Sequence, residues 1–228
     1  MLSTHIKNRF KTERVKTARG RKVSSTKWLQ RQINDPYVKE AQKRGYRSRA
    51  AFKILEINEK FKLFKKGYRV LDLGSAPGGW SQIIVDIVGE NNILATDILK
   101  MEPISGVKFV QKNFLDDDAK DVLISEMNGQ KYDVVVSDMA ANTTGDKKTD
   151  NLRTSNLVEN ALDFAIEVLK DGGFFVAKVF QGGAEKSIFD KLKTNFKKVK
   201  HFKPESSRKD SVEMYVIAKE FKGNKNIS

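Results

Sequence analysis

A glycine-rich turn between an apolar strand and a helix is the clearest indication of the fold: residues 69–80 read RVLDLGSAPGGW. The apolar residues around Asp72 predict a buried strand. The glycines after it permit a turn in which a ligand can lie against the backbone and the N-terminus of the next helix. The spacing is neither the G-x-G-x-x-G of dinucleotide-binding proteins nor the Gly-Lys-Ser/Thr of nucleoside triphosphate sites. The turn also holds no lysine that could bind phosphate, so it favours a cofactor without phosphate groups.

Around this turn, short apolar strands alternate with helices. Strands are predicted at 69–73, 93–96, 108–111, 133–137, 174–179 and 212–219, with a weaker one near 198–202. Helices are predicted at 36–43, 48–61, 79–88, 117–127, 151–170 and 183–195, with Ser48 as the N-cap of the second and Asp171-Gly172-Gly173 ending the fifth. This alternation predicts an α/β fold with a doubly wound parallel sheet, which binds its ligands beyond the carboxyl ends of the strands.

Three residues in or near these strand ends have two interpretations each. Asp97 ends the second strand, where a carboxylate can accept both hydroxyls of a ribose, or could instead cap a turn. Asp72 could contact the ligand or brace the loop. Trp80 could form a ledge beside a cofactor or pack in the core.

The composition excludes several classes of site. The chain has no cysteine, which excludes disulfides, zinc ribbons and thiolate nucleophiles. With only His5 and His201, neither a histidine-based metal site nor a Ser-His-Asp triad is expected, and no metal is predicted. No apolar run approaches the roughly 20 residues of a transmembrane helix. The basic N-terminus lacks the apolar segment of a secretory signal, so a cytoplasmic location is predicted, with a mitochondrial transit peptide as the alternative.

Positive charge is concentrated at the N-terminus. Residues 1–50 hold 15 Lys/Arg and 3 Asp/Glu, a net charge of +12, whereas the remaining 178 residues hold 28 and 26, a net charge of +2. The basic residues are interleaved with Phe10 and Trp28, and little apolar periodicity precedes residue 28. We therefore predict a loosely ordered arm that binds the phosphates of a nucleic acid, rather than a solubilising tail.

Several segments together resemble one family. Residues 47–55 read RSRAAFKIL, 137–140 SDMA, 177–182 AKVFQG, and SSR at 206–208 leads to EMY at 213–215. With the turn at 72–82 they resemble the FtsJ/RrmJ (RlmE) family of S-adenosylmethionine-dependent ribose 2′-O-methyltransferases, over residues 28–221. The resemblance implies a seven-stranded Rossmann-like methyltransferase sheet whose last strand is antiparallel, and S-adenosyl-L-methionine as cofactor. It also implies a uridine in the A-loop of 23S ribosomal RNA, on the large ribosomal subunit, as substrate.

The resemblance also implies the catalytic residues. The family's Lys-Asp-Lys-Glu set matches Lys53, Asp138, Lys178 and Glu213, with Lys178 accepting or orienting the proton of the 2′-hydroxyl group. A lysine inside the apolar run 174–180 is unusual in a central strand, which independently favours a function for Lys178. Asp138 and Glu213 would stabilise its ammonium form, so the sequence leaves open whether Lys178 is a base or an orienting cation.

The predicted cofactor site combines the turn with the ends of the following strands. Its residues are Gly78, Gly79, Trp80, Asp97, Asn113 and Asp138. Two positions depart from the family's usual pattern. Asn113 replaces an aspartate near the adenine, and Ala141 replaces a proline after the fourth strand.

Two alternative functions stay open. One is 2′-O-methylation of another RNA, such as transfer RNA or a messenger RNA cap. The other is an RNA-binding ribosome assembly factor on a methyltransferase scaffold. We predict a monomer with an RNA-binding arm at 1–30 that contacts 23S ribosomal RNA, a methyltransferase domain at 31–222 and a polar tail at 223–228, with no membrane association.

Overall fold

The computed structural model describes residues 13–15, 23–141, 144–180, 185–208 and 210–223. Most of the predicted arm (1–12 and 16–22) and the tail after residue 223 lie outside these ranges. The described residues form a seven-stranded sheet with the order β3-β2-β1-β4-β5-β7-β6. The strands are β1 (Val70–Leu73), β2 (Ile93–Asp97), β3 (Val107–Gln111), β4 (Tyr132–Ser137), β5 (Leu169–Phe180), β6 (Phe196–Phe202) and β7 (Glu213–Phe221).

Strand direction confirms the predicted doubly wound sheet. The five strands from β3 to β5 pair in parallel, whereas β7 is antiparallel to both of its neighbours, β5 and β6. The carboxyl ends of β1, β2, β4 and β5 therefore meet at one edge of the sheet, and the amino end of β7 reaches the same edge. Phe180 pairs with Glu213 there.

Helices cover both faces of the sheet. They are α1 (Val23–Ile33), α2 (Pro36–Lys43), α3 (Ala50–Phe61), α4 (Gly79–Val88), α5 (Ala119–Ser125), α6 (Lys147–Val168) and α7 (Glu185–Asn195). One apolar core lies between the sheet and α3 and α4, and a second lies between the sheet and α5, α6 and α7. Burial on both faces explains the continuous apolar runs of the central strands. Among the described residues, no helix is both long enough and apolar enough to span a bilayer.

Helix α1 differs from the prediction of loosely ordered chain before residue 28, because it begins at Val23. Polar contacts to residues 13–15 help to hold it. The side chain of Asn34 accepts a hydrogen bond from the Glu13 amide at 2.7 Å and donates to the Glu13 carbonyl at 2.9 Å. Gln30 accepts from the Val15 amide at 3.0 Å. Such contacts leave no apolar periodicity in the sequence, and α1 continues across residue 30, where the arm was divided from the domain.

Several predicted helix boundaries differ from the structure: α5 is shorter than predicted at both ends, and α6 begins at Lys147. The predicted start of α7, at 183, lies outside the described residues, and the described helix begins at Glu185. Two of the wrong predictions have a visible cause. Ser48 does not cap α3, which begins at Ala50 without a side-chain cap; the Ser48 hydroxyl lies against Gly79 instead. Helix α6 ends at Val168, before the glycines that were expected to end it. Leu169 is buried and pairs with Tyr132 of β4, so sheet pairing takes this residue out of the helix.

Candidate active site

Two lysines and two carboxylates meet at the carboxyl edge of the sheet. Lys178 Nζ lies 3.3 Å from Asp138 Oδ1 and 3.8 Å from Glu213 Oε1. Lys53 Nζ lies 3.6 Å from the same Asp138 oxygen and 3.4 Å from Glu213 Oε2. The structure therefore brings together all four residues of the predicted catalytic set, which we call the tetrad. Its formal charge is zero.

Each member of the tetrad is positioned by a different element. Lys178 lies near the end of β5, Glu213 begins β7, Asp138 follows β4, and Lys53 projects from the second turn of α3. Lys178 Nζ also donates a 2.6 Å hydrogen bond to the backbone carbonyl of Asp138. Both lysines are buried, whereas the Asp138 and Glu213 side chains are about one-fifth exposed, at 20% and 23%. The carboxylates thus form the solvent-facing side of the tetrad.

Asp138 is the centre of this arrangement. Tyr215, the register partner of Lys178 on β7, donates its hydroxyl to Asp138 Oδ1 at 2.5 Å. Burial pushes the pKa of Asp138 upward, but the charges of Lys53 and Lys178 and the Tyr215 hydrogen bond outweigh it and hold the pKa below its usual value of 3.8. Burial and the neighbouring Asp138 charge raise the pKa of Tyr215 well above 10.0. At neutral pH, Asp138 is therefore an anion and Tyr215 a neutral donor.

The glycines of the turn are required by close packing within the protein. A Cβ atom on Gly79 would lie 2.1 Å from the Ser48 hydroxyl oxygen, and one on Gly74 would lie 2.0 Å from the Met139 side chain. Gly78 has a φ of +98° and forms the N-cap of α4, a conformation that side-chain-bearing residues rarely adopt. These contacts bring the turn against the lead-in to α3 and against the loop that follows β4.

Carboxylates surround the turn. Asp72, 1% exposed at the end of β1, accepts a 2.6 Å hydrogen bond from the Ser81 hydroxyl. Burial raises the pKa of Asp72 to about 7; the Ser81 hydrogen bond opposes this shift, and the charges of Asp138 and Asp97 add to it. The charges of Asp97 and Asp138 thus act on Asp72 across the turn. A ligand that carries positive charge would be attracted by these acidic groups. Within the described ranges, no group of three or more His, Cys, Asp or Glu side chains could hold a metal ion.

Asp97 and Asn113 stabilise turns at the ends of β2 and β3. Asp97 accepts from the amides of Ala76, at 2.9 Å, and Leu99, at 2.8 Å. This is the turn-capping interpretation of Asp97, and its role toward a ribose stays a prediction. Asn113 likewise accepts from the Leu115 amide at 3.1 Å. Three exposed apolar side chains that the sequence did not single out flank these turns: Ile98, Leu99 and Leu115.

Trp80 lies mainly in the core. Its side chain is 3% exposed, contacts the Tyr215 ring with a centroid distance of 5.6 Å and donates its indole N–H to the Ala50 carbonyl at 2.9 Å. The structure therefore favours core packing for this side chain over a ledge beside a ligand. Only the backbone of Trp80, in the first turn of α4, is left for the predicted cofactor role.

Comparison with known proteins agrees with this geometry. Residues 46–221, which include the whole tetrad, match the family described as FtsJ-like methyltransferase. The chain belongs to the FtsJ-like methyltransferase family.

Relatives of this methyltransferase have high identity over most of the chain. The protein named Ribosomal RNA large subunit methyltransferase E in Maricaulis maris is 57% identical over 211 residues, which cover 92% of this chain and 75% of the relative. The protein of the same name in Rickettsia akari is 51% identical over 216 residues, covering 92% and 95%. The crystal structure of a protein described as a ribosomal RNA methyltransferase from Plasmodium falciparum superposes with a TM-score of 0.71 at 31% identity. It covers 78% of this chain and 100% of its own.

Arg47 connects three parts of the methyltransferase site, although its residue type gave no reason to single it out within its motif. Its guanidinium donates to the carbonyls of Pro77 at 3.3 Å, Glu102 at 2.6 Å and Pro103 at 2.5 Å. The first carbonyl belongs to the glycine turn and the other two to the segment between β2 and β3. Arg47 therefore fixes the turn relative to the end of β2, and the basic residue just before α3 has a structural role.

Two further arginines, Arg49 and Arg208, join the N-terminus of α2 to the lead-in to α3 and to the loop between β6 and β7. Asp35, the N-cap of α2, is 7% exposed, and its Oδ2 lies 3.0 Å from Arg49 Nε and 3.2 Å from Arg208 Nε. Arg49 also donates to the Ser206 carbonyl at 2.5 Å. The amide of Ser206, on the same loop, donates to the side chain of Glu56 in α3 at 3.1 Å. The motif at 206–208 is therefore held by buried carboxylates, a function that only the long-range contacts reveal.

Proposed function

We propose that this protein transfers a methyl group from S-adenosyl-L-methionine to the ribose 2′-hydroxyl group of a uridine in the A-loop of 23S ribosomal RNA, on the large ribosomal subunit. The observation that carries the proposal is the tetrad, in which each of two amines lies within 4 Å of each of two carboxylates, beside the glycine turn of an FtsJ-like methyltransferase. The names of the close relatives support ribosomal RNA of the large subunit as the substrate class.

The residues around the turn fit this donor. When bound, S-adenosylmethionine supplies an electrophilic methyl group on a sulfonium, and its amino acid portion carries an ammonium group. The mutually interacting carboxylates of Asp72, Asp97 and Asp138 favour such a cation. Gly79 and the Trp80 backbone would offer amides at the N-terminus of α4, while Gly78, whose own amide donates to the Ser75 carbonyl at 2.6 Å, would let the backbone approach the donor closely. Asp97 would accept ribose hydroxyls. Asn113 would hydrogen-bond to the base beside the exposed Ile98, Leu99 and Leu115 side chains.

The tetrad would remove the proton of the acceptor. A ribose hydroxyl is a weak nucleophile at neutral pH, so it needs alignment and a group that takes its proton as the new O–C bond forms. We assign this proton to Lys178 Nζ, which would accept it as the neutral amine after releasing one proton to solvent, so that the transfer regenerates the ammonium form. The resulting ammonium is stabilised by the Asp138 carbonyl and by the carboxylates of Asp138 and Glu213. Lys53 keeps both carboxylates in place and balances their charge, while the Tyr215 hydrogen bond fixes Asp138 Oδ1.

RNA binding would use the positive charge of the N-terminal arm. The arm at 1–30 holds nine Lys or Arg and one Glu, a net charge of +8 out of the +12 of residues 1–50, whereas the rest of the chain is nearly neutral. Lys and Arg contacts to phosphates release counterions, so affinity should fall steeply with salt concentration. A cytoplasmic monomer that binds the large subunit is part of the same proposal.

Methyl transfer from labelled donor to large ribosomal subunits tests the proposal directly. Methylation of a 2′-oxygen blocks alkaline cleavage of the next phosphodiester, so the label should be recovered in an alkali-resistant dinucleotide. Lys178→Met should lower the rate about 10²- to 10⁴-fold while donor binding and folding persist. The control Lys66→Met changes an exposed lysine that precedes β1, away from the carboxyl edge, and should act like the wild type.

The same assay separates the alternatives. Label in transfer RNA or in capped messenger RNA, but not in the large subunit, would show that the substrate is that other RNA. Label in alkali-sensitive nucleotides would contradict ribose methylation. Failure to bind S-adenosylmethionine at all, measured by calorimetric titration, would favour an assembly factor on a methyltransferase scaffold.

A further inference from the structure

Helix α1 presents an aromatic side chain to solvent beside two cations. Trp28 is 57% exposed, and among the described residues it is the only exposed Phe, Trp or Tyr side chain. Lys27 and Arg31 are also exposed, and α1 contains no acidic residue. At 3.6 residues per turn, these three side chains fall within an arc of about 100° on the helix. This arc, Lys27, Trp28 and Arg31, is called the α1 face below.

The position of the α1 face is fixed relative to the active site. Contacts from Gln30, and from Asn34 just after the helix, to the backbone of residues 13–15 anchor the helix next to the Lys27 and Arg31 side of this face. Trp28 lies about 8 Å along the helix axis from its end at Ile33, at a rise of 1.5 Å per residue. Asp35 follows directly, and its ion pairs with Arg49 and Arg208 connect α1 to the loop before Glu213.

An exposed tryptophan between cations has the chemistry of a single-stranded RNA contact. Every base offers a π-face that stacks on an aromatic ring, while flanking Lys and Arg side chains bind the backbone phosphates. Bases of a fully paired duplex are stacked on each other and cannot reach such a ring. Exposure on a polar helix also separates Trp28 from Trp80, the other tryptophan of the chain, which is buried.

We propose that the α1 face binds an unpaired nucleotide of the RNA substrate, with the base stacked on the Trp28 indole and Lys27 and Arg31 on the adjoining phosphates. The inference rests on the proposed function, because it presumes an RNA substrate, and it adds the chemical form of that RNA. Single-stranded nucleotides next to the modified ribose would be held at α1 while that ribose reaches the tetrad.

Tryptophan fluorescence tests the stack in the unmodified protein. The probes are a short oligouridylate and a fully paired RNA duplex of equal length, with binding followed independently by filter retention. Oligouridylate should quench the emission in a saturable way, and Trp28→Phe should abolish that signal, because Trp80 is inaccessible. Trp28→Ala should weaken oligouridylate binding about 5- to 150-fold, the loss expected for one aromatic–base stack, with less than about a 2-fold effect on the duplex.

Charge variants test the phosphate contacts. Lys27→Gln and Arg31→Gln should each lower the slope of log affinity against log salt by about 0.7 for single-stranded RNA. The control Lys131→Gln removes an exposed cation that precedes β4 and should leave the slope unchanged.

Three results would overturn the inference. The first is oligouridylate that binds without changing the emission, and the second is Trp28→Ala protein that binds it normally. The third is a protein concentration dependence of the emission without RNA, which would indicate that a second copy covers the ring. Absence of any RNA binding would overturn the proposed function itself, which sets that failure apart from the other three.

Discussion

The buried carboxyl group of Asp72 makes the stability of this protein depend on pH near neutrality. Asp72 is 1% exposed, and its pKa is raised to about 7, first by burial, from an ordinary value of 3.8. An acid with a raised pKa binds more protons in the folded than in the unfolded state between these two values. The free energy of unfolding therefore contains a contribution that is complete below about pH 4 and is lost as the pH rises through 7.

The change Asp72→Asn isolates this contribution. Asparagine keeps an oxygen that can accept the Ser81 hydrogen bond but does not ionise. At about 1.36 kcal/mol per pH unit, the shift from 3.8 to about 7 corresponds to roughly 4 kcal/mol in total, of which about 3 kcal/mol develops between pH 5 and pH 8. Over that range, the free energy of unfolding of the wild type should fall by this amount relative to the variant.

Urea unfolding at half-unit pH intervals measures this difference, because most other titrating groups are common to both proteins and cancel. Ser81→Ala is a second test. It removes the hydrogen bond that opposes the shift, so the loss of stability should move to higher pH. A difference between wild type and Asp72→Asn that stays constant from pH 5 to pH 8 would refute the reasoning.

Three other side-chain contacts give predictions of their own. Gly79→Ala should destabilise the protein by about 1–3 kcal/mol and weaken donor binding, because its Cβ would lie 2.1 Å from the Ser48 hydroxyl oxygen. The double variant with Ser48→Ala should recover most of the stability, measured by urea titration, and most of the donor affinity, measured by a binding assay. Glu56→Ala should lower the free energy of unfolding by about 1–3 kcal/mol, because two backbone amides lose their acceptors. Glu56→Gln should restore only part of this loss, because its single amide oxygen can replace one of the two carboxylate oxygens. Hydrogen bonds from the amide and hydroxyl of Thr144 lower the pKa of Asp150. Asp150→Ala should therefore speed amide hydrogen exchange in that turn at neutral pH. The exchange rates of the two proteins should converge in acid below the usual aspartate pKa of 3.8, where the carboxylate is lost. Equal exchange in both proteins at neutral pH would contradict the last of these.

Most of the fold could be predicted because its signals are local. Central strands such as β4 are continuous apolar runs, and helices α2 and α4 match their predicted bounds because a proline or glycines mark their ends. The predictions of helix bounds are wrong where a contact with residues far along the chain determines where the helix begins or ends. Polar side chains hold α1 against residues 13–15, and pairing of Leu169 with β4 ends α6 early. Neither contact leaves a periodic pattern in the sequence.

Some residues of the candidate site could likewise be predicted from the sequence, and others only from the structure. Lys178 is conspicuous in sequence because it interrupts an apolar strand, and its three tetrad partners became visible through the family's motif. Tyr215 was not singled out, because an aromatic residue in a buried strand looks like core until its hydroxyl is seen on Asp138. Arg47 is one of many basic residues near the N-terminus and does not stand out in sequence, whereas in the structure its guanidinium binds backbone carbonyls. Sequence chemistry thus identifies charged groups but not the partners that neutralise them.

The single carboxylate of Asp35 has a consequence for protein engineering. Asp35 is the N-cap of α2. Its carboxylate also forms ion pairs with Arg49, from the lead-in to α3, and with Arg208, from the loop before the last strand. A chimera that exchanged the N-terminal segment at this point would separate an acid from two bases that lie far along the chain. The N-terminal segment and the loop before the last strand therefore cannot be exchanged independently, and a working exchange must carry all three residues together.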